Sequence, residues 1–101
     1  MNDLTDHEIA QIIIEVIERR VGIQDLTVPC RTRRVAHARF LAARLIRELT
    51  DFSHSDIADE LGWEDHTGAV YAIKQSGKPR VQRLYDTVFH DLQTVYGLST
   101  C

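Results

Sequence analysis

The sequence predicts an all-α fold of about five to six helices. In several long stretches the apolar residues recur at spacings of three and four, which is the period of an amphipathic helix. Only two prolines interrupt the 101 residues, and no long segment shows the period-two alternation of a half-buried strand. With 44% hydrophobic and 27% charged residues, the composition is that of a folded chain, and we expect residues 1–101 to form one domain.

The first helix is predicted to begin after Thr5, where Glu8 completes a capping box three residues on. Gly22 follows two arginines and is expected to end this helix. Its apolar residues form one stripe, which favours a core face over a dimerisation seam: Ile9, Ile12, Ile13, Val16 and Ile17.

The second helix is predicted from Arg33 to Thr50, after a connection over residues 22–30 that contains a proline. Three arginines, Arg39, Arg44 and Arg47, are expected to lie largely off its buried face. That face is predicted to comprise Ala38, Leu41, Ala42, Leu45, Ile46 and Leu49.

The charge is sorted along the chain, although the net charge of the whole is −3. Residues 1–26 carry a net −4, residues 27–47 carry six arginines and no acid, residues 48–73 carry seven acids and no lysine or arginine, and residues 74–101 carry a net +2. A basic block within an acidic chain can still attract phosphates, because the field acts over roughly one Debye length, about 8–10 Å.

Arg31, Arg33 and Arg34 cluster at the amino end of the second helix, where the helix dipole favours anions over cations. A bound external anion would resolve that conflict. The alternative is a solvated basic face that pairs with the acidic residues of the segment 48–65.

Residues 53–76 are predicted to form two helices joined by a tight turn. Ser53 and Asp56 resemble a capping box, Gly62 is placed to end the first helix, and Asp65 can cap the second. The inner face of the second helix is expected to be Ala69, Val70 and Ile73. This pattern is compatible with a helix-turn-helix and with an ordinary helical hairpin.

The last helix is predicted to begin at Pro79 and to end at Gly97. We expect it to close the core against the first helix. Its apolar stripe comprises Val81, Leu84, Tyr85, Val88, Phe89, Leu92, Val95 and Tyr96.

The residues argue against an enzyme, a metal site and a membrane span. The five histidines show neither HxH nor HExxH spacing, and neither a GxxxxGK[ST] phosphate loop nor a GxSxG motif occurs. No apolar run approaches the roughly 20 residues of a membrane span. Cys30 and Cys101 lie far apart without a CxxC motif, so we expect neither a structural disulfide nor a zinc site, and a reducing cytoplasm. Because the catalytic and metal-binding motifs do not occur, we also expect no cofactor and no small-molecule substrate.

DNA binding fits the residues better. Asp65, His66 and Thr67 stand at the amino end of the second helix, the part of a helix-turn-helix that reaches base edges in the major groove. Asp can accept a hydrogen bond from cytosine N4, His can donate to guanine or accept from adenine, and the Thr methyl can pack on thymine. The arginine block would supply phosphate contacts and a minor-groove insertion.

From about Ile9 to about Thr94 the chain resembles the C-terminal DNA-binding domain of the bacterial replication initiator DnaA. The segments RTRRVAHARFLAARLIRELTDFSHSDIADELG and WEDHTGAVYAIK carry the match, with Asp65-His66-Thr67 as its centre. The resemblance implies a helix-turn-helix fold similar to that of the Trp repressor and binding to double-stranded DNA.

The resemblance also implies a role for each matching residue. Arg31 takes the place of an arginine that enters the minor groove, and Arg33 matches a second cation of that loop. The remaining matches are Arg39 and Arg47 for phosphates, His54 and Ser55 for the DNA backbone, and Asp65, His66 and Thr67 for bases.

The chain departs from the family at four positions near this site. Glu64 replaces an arginine, Gly68 replaces a base-contacting threonine, Trp63 replaces a small residue of the turn, and Phe40 replaces a polar backbone contact. The ATPase module of a full initiator does not occur in the sequence, so we expect no ATP-driven assembly by these residues. The chain is either a stand-alone relative or an excised domain, and the leading Met1 favours the stand-alone relative.

We therefore expect a sequence-specific double-stranded DNA binder that regulates replication or transcription without ATPase activity, with a monomer favoured. The alternative is a protein-interaction module that kept the fold but lost or altered DNA recognition. Glu64, Gly68 and the acidic segment 48–73 motivate that alternative, because they place acid beside the reading helix.

Overall fold

The computed structural model describes residues 4–27 and 32–97, and it confirms the all-α prediction with five helices in those residues. The helices are α1 (Asp6–Val21), α2 (Arg33–Leu49), α3 (His54–Leu61), α4 (His66–Gln75) and α5 (Pro79–Tyr96). None of these helices is both long and apolar enough to cross a bilayer.

Helix α2 lies at the centre of the fold and packs against each of the other four helices. Its buried face carries Leu41, Leu45 and Ile46 together with Ala38, Ala42 and Ala43, and all six are fully buried. The alanines allow neighbouring helices to approach α2 closely, while the larger side chains fill the space between them. Further extensive contacts join α1 to α5 and α3 to α4.

The helix ends follow the local signals of the sequence. Thr5 and Glu8 form a reciprocal capping box at the start of α1, and Ser53 and Asp56 form another at the start of α3. Glycines end α1, α3 and α5 with a positive φ, and Pro79 is the first residue of α5. Both predicted capping boxes are confirmed.

Replacing Ser53 with alanine should lower the free energy of unfolding by about 1 kcal/mol, because the backbone N–H of Asp56 loses its side-chain acceptor. Urea denaturation followed by circular dichroism measures the change. Ser55→Ala is the matched control, because Ser55 is exposed inside α3 and makes no capping bond. We expect the control to change stability by less than about 0.5 kcal/mol, and equal effects in both variants would contradict the capping role.

Three predictions about side-chain placement are wrong. Val95, which belongs to the predicted core stripe of the last helix, is 68% exposed because it lies in the final turn of α5. Arg39 lies on the buried side of α2 with 6% of its surface exposed, and Val70 is 37% exposed. The inner face of α4 is instead Ala69, Ala72 and Ser76, with Ile73 half-buried. The spacing 69, 72, 73 and 76 is helical, and α4 turns its alanines toward α2 and α3, against which it packs.

Leu26 is a core residue that the helical periodicity did not predict. It lies in the connection after α1, is fully buried, and its N–H donates a 2.8 Å hydrogen bond to Oε2 of Glu18. Thr27 follows, held by Asp25, whose Oδ1 accepts from the N–H and the hydroxyl of Thr27 at 3.0 and 2.7 Å. These bonds fold the connection back toward the turn between α3 and α4.

Candidate nucleic-acid interface

The amino end of α4 is exposed and is organised by Asp65. Oδ1 of Asp65 accepts the N–H of Thr67 at 2.9 Å and also the hydroxyl of Thr67. These two bonds, the hydroxyl bond first, lower the pKa of the Asp65 carboxyl, so the group is ionised at neutral pH. The carboxyl also interacts with the backbone N–H of Gly68 and electrostatically with the neighbouring His66. Because it is exposed, it keeps lone pairs that can accept a hydrogen bond from a cytosine amino group.

His66 and Thr67 complete an exposed triplet. No hydrogen bond or ion pair engages the His66 ring in the described part of the chain, so both ring nitrogens are free for a base edge. The Thr67 hydroxyl is committed to Asp65, which leaves its methyl group as the outward feature. The three side chains thus present an acceptor, a ring that can donate or accept, and a methyl group.

Arginines lie at both ends of α2. Arg33 and Arg34 are exposed in its first turn, which contains no acidic residue, and Arg47 is exposed in its last turn. Arg33 and Arg47 are fourteen residues apart, which separates them by about 21 Å along the axis and by only about 40° around it. The two ends of α2 therefore carry cations on a similar side of the helix.

These cations are not neutralised by the acidic segment. Within residues 4–27 and 32–97, the one arginine of α2 that forms an ion pair is Arg44, with Glu48 at 3.3 Å. The guanidinium of Arg44 also lies 3.8 Å from the ring centroid of Tyr85. The alternative of a basic face paired with residues 48–65 thus holds for Arg44, while Arg33 and Arg47 remain without an acidic partner.

Several acids of that segment serve the fold instead. Asp56 caps α3, Asp65 caps α4, and Glu60 accepts hydrogen bonds from Gln11 at 2.9 Å and contacts the His7 ring at 2.6 Å. Glu64 differs, because it is exposed and has no side-chain partner in the described residues. It lies directly before the exposed triplet Asp65, His66 and Thr67.

Arg39 is a structural cation. Nη2 of Arg39 donates a 2.6 Å hydrogen bond to the carbonyl of Leu61, the last residue of α3, where the helix dipole favours a positive charge. Its guanidinium also lies 4.7 Å from the ring centroid of Trp63. Burial lowers the pKa of Arg39. We leave Arg39 out of the proposed DNA contacts, because the guanidinium is enclosed by the turn.

Trp63 and Gly68 are in contact, so two departures from the family pattern are one structural feature. A Cβ placed on Gly68 would lie 2.8 Å from Cγ and 3.0 Å from Cβ of Trp63, closer than side chains tolerate. Trp63 therefore occupies the space that a side chain at position 68 would need. Arg39, Trp63 and Gly68 form a cluster beside the start of α4, which the sequence patterns did not predict.

The start of α3 brings three further predicted residues together. Ser55 is exposed and His54 is half-buried in the first turn of α3. Nη1 of Arg47 lies 3.5 Å from the carbonyl oxygen of Phe52, just before that turn. Arg31 lies outside the described residues, and its predicted minor-groove role stays a prediction. No group of three or more potential metal-ligating side chains occurs in the residues that the structure describes.

The chain matches the family model described as the bacterial dnaA protein helix-turn-helix over residues 8–75. It belongs to the DnaA helix-turn-helix family. That match covers α1 to α4, including the α3–turn–α4 unit, and it decides between the helix-turn-helix and the ordinary hairpin in favour of the former.

Two relatives are chromosomal replication initiator proteins DnaA. The one from Thermodesulfovibrio yellowstonii is 32% identical over an alignment of 99 residues, and the match covers 87% of this chain and 23% of the relative. The one from Gloeobacter violaceus is 32% identical over an alignment of 96 residues, and the match covers 90% of this chain and 21% of the relative. The DnaA-like chain thus spans less than a quarter of either relative. No solved structure matches it significantly.

Proposed function

We propose that this DnaA-like domain binds double-stranded DNA in a sequence-dependent way, with α4 in the major groove. The observation that carries the proposal is the exposed triplet Asp65, His66 and Thr67 at the amino end of α4, between arginines at the two ends of α2. The triplet is suited to hydrogen bonds and apolar contacts with base edges, and the arginines are suited to contacts with phosphates.

The division of labour within the triplet follows from its bonds. His66 is the principal reader, because its ring is unengaged, whereas Asp65 also holds the first turn of α4. Thr67 contributes an apolar contact. Arg33 and Arg47, together with Ser55 and His54 at the start of α3, contact the sugar-phosphate backbone and hold the orientation.

The names of the relatives, which are chromosomal replication initiators, support a proposal about the biological role. We propose that the domain acts in the cytoplasm as a small regulator of replication or transcription, binds as a monomer, and needs no ATPase activity for the binding step. The exposed Glu64 weakens binding relative to a domain with arginine at that position, because a carboxylate repels the phosphates that an arginine would attract.

The proposal is tested by selecting duplexes from a random library and then measuring the affinity of His66→Ala and Arg33→Ala for the selected duplex and for a scrambled one. His66→Ala should lose most of the discrimination between the two duplexes, about tenfold or more, because a base contact is removed. Arg33→Ala should weaken both duplexes alike and reduce the slope of log affinity against log salt by about 1.

Arg19→Ala is the matched control, because Arg19 is an exposed arginine at the end of α1, away from the triplet. Arg19→Ala should preserve the difference in affinity between the selected and the scrambled duplex. Failure of the native domain to bind any duplex at about 50 mM salt, where phosphate contacts are strong, would contradict the proposal and favour the protein-interaction alternative.

A further inference from the structure

A basic groove lies between the amino ends of α2 and α5. It encloses about 490 Å³ and is lined by His37, Lys78, Pro79, Arg80 and Arg83. The residues of the lining are basic or apolar, and no acid is among them. We call this cleft the α2–α5 groove.

The cations of the groove are unpaired in the described residues. None of Lys78, Arg80 and Arg83 takes part in an ion pair, and their side chains make no hydrogen bond within residues 4–27 and 32–97. The first turns of both α2 and α5 lack acidic residues. The amino ends of two helices thus add their dipoles to an uncompensated set of positive charges.

The charges act on one another at close range. Arg33 lies one helical turn before His37 on α2 and shares its face. Burial lowers the pKa of His37, and Lys78, Arg33 and Arg80 lower it further by repulsion. Cations on two helices are therefore directed at one space, an arrangement that a bound anion would stabilise.

The groove is continuous with the reading face of α4. Thr67 and Tyr71 are four residues apart and share one face of α4, and Tyr71 is 57% exposed. The Tyr71 ring packs edge-on against Phe40, with centroids 5.8 Å apart, and Phe40 lies 6.1 Å from His37. This row of rings connects the triplet to the groove across the surface of α2.

We propose that the α2–α5 groove binds backbone phosphates of the same duplex that α4 reads, beside the bases it contacts. This inference rests on the proposed DNA binding and adds a second phosphate-binding surface to it. Phosphates line both rims of the major groove, which is about 12 Å wide, so a helix inserted there brings neighbouring side chains against the strand. Arg80 and Arg83 supply the charge, and the row Tyr71, Phe40 and His37 packs against the sugars.

The test uses the selected duplex in two lengths. The short duplex contains only the base pairs that the selection specifies, and the extended duplex adds one helical turn, about 10 base pairs, on each side. Arg80→Gln, Arg83→Gln and the double variant are compared with Arg19→Gln, which removes the same charge outside the groove. All three positions are exposed in the fold, and helicity and thermal midpoint verify that each of the four variants is folded.

The double variant should bind the extended duplex with a salt slope smaller by about 1 to 2, which corresponds to one or two lost phosphate contacts. For each phosphate contact that is lost, the ratio of the affinity at 50 mM salt to the affinity at 200 mM salt should fall by about threefold. The short duplex should respond less, and Arg19→Gln should leave both slopes unchanged.

The outcomes separate this inference from the proposed function. In one outcome the native domain binds the selected duplex and His66→Ala loses the discrimination between selected and scrambled duplexes, as the proposed function requires. If the double variant then keeps the affinity and the salt slope of the native domain on the extended duplex, only the groove proposal is overturned. In that case an anionic protein partner for the groove gains support. If the native domain binds no duplex, both proposals are overturned.

Discussion

Replacing Gly62 with alanine is expected to lower the free energy of unfolding by about 3 kcal/mol, which would remove much of the stability of a domain of this size. Gly62 ends α3 with φ +77°, a conformation that costs a residue with a Cβ about 1–2 kcal/mol. A Cβ there would also lie 2.6 Å from the carbonyl oxygen of Thr27, and a backbone atom cannot move aside cheaply.

The structural consequence extends into the core. Thr27 follows the fully buried Leu26, so displacing the Thr27 carbonyl disturbs a core side chain as well as the turn. We therefore expect Gly62→Ala to weaken DNA binding in proportion to the unfolded fraction, and not through any direct contact.

Gly22→Ala provides the matched control. Gly22 ends α1 with φ +74°, nearly the same conformation, but no atom would lie within 4 Å of an added Cβ. It should cost only about 1 kcal/mol. Urea denaturation of the two variants measures the difference, which isolates the clash with Thr27. Equal costs for the two variants would show that Thr27 adapts and that the close approach is unimportant.

Replacing Gly68 with alanine is expected to destabilise the domain by about 2 kcal/mol, against the usual trend. Gly68 is the third residue of α4, where glycine to alanine ordinarily stabilises a helix by up to about 1 kcal/mol. Here the added Cβ would lie 2.8 Å from Cγ of Trp63. Because Cγ is close to the backbone, the whole indole must move and lose its contact with Arg39.

The cost should largely disappear when the indole of Trp63 is absent. In a Trp63→Ala background the 2.8 Å contact with Cγ is removed and only the Cβ of residue 63 remains, at 3.0 Å, which a small shift relieves. The helix propensity of alanine offsets that residual strain, so Gly68→Ala should change the free energy of unfolding by less than about 0.5 kcal/mol. A double-mutant cycle, measured by urea denaturation, then gives a coupling free energy of about 2 kcal/mol between positions 63 and 68. Additive effects would show that the two positions are independent and would contradict the packing described here.

This coupling bears on any attempt to restore the threonine of the family pattern. Gly68→Thr alone would meet Trp63 in the same way and displace the start of α4, so it would not test base reading. The exchange is interpretable only together with a small residue at position 63. Two departures that look independent in the sequence must be changed as a pair.

The local features of this fold were predictable from the sequence because each depends on residues three or four positions apart. The capping boxes at Thr5–Glu8 and Ser53–Asp56 and the helix ends at Gly22 and Gly97 are of this kind. Placement of Asp65 as the cap of α4 follows from the same local chemistry. Such signals act within one helical turn and do not require knowledge of the neighbouring helices.

The placement of Arg39 and Val70 could not be predicted in that way. Periodicity assigned an apolar Val70 to the core and a charged Arg39 to the surface. The structure reverses both. Arg39 is buried because the carbonyl of Leu61 accepts its hydrogen bond and Trp63 packs against its guanidinium. Val70 is exposed because α4 turns Ala69 and Ala72 toward α2 and α3. Burying a cation is costly unless it is hydrogen-bonded or paired in the folded state. The partners of Arg39 lie 22 and 24 residues away along the chain, so the local sequence pattern does not reveal them.

The sequence by itself determined the helical class, the ends of most helices, the family pattern and the triplet at the start of α4. Each of these rests on short-range periodicity, capping or a contiguous motif. Only the tertiary structure decided that Arg39 is a structural cation, that Trp63 and Gly68 occupy one space, and that His37, Arg80 and Arg83 share a groove. Those relations join residues on different helices, and packing rather than sequence distance brings them together.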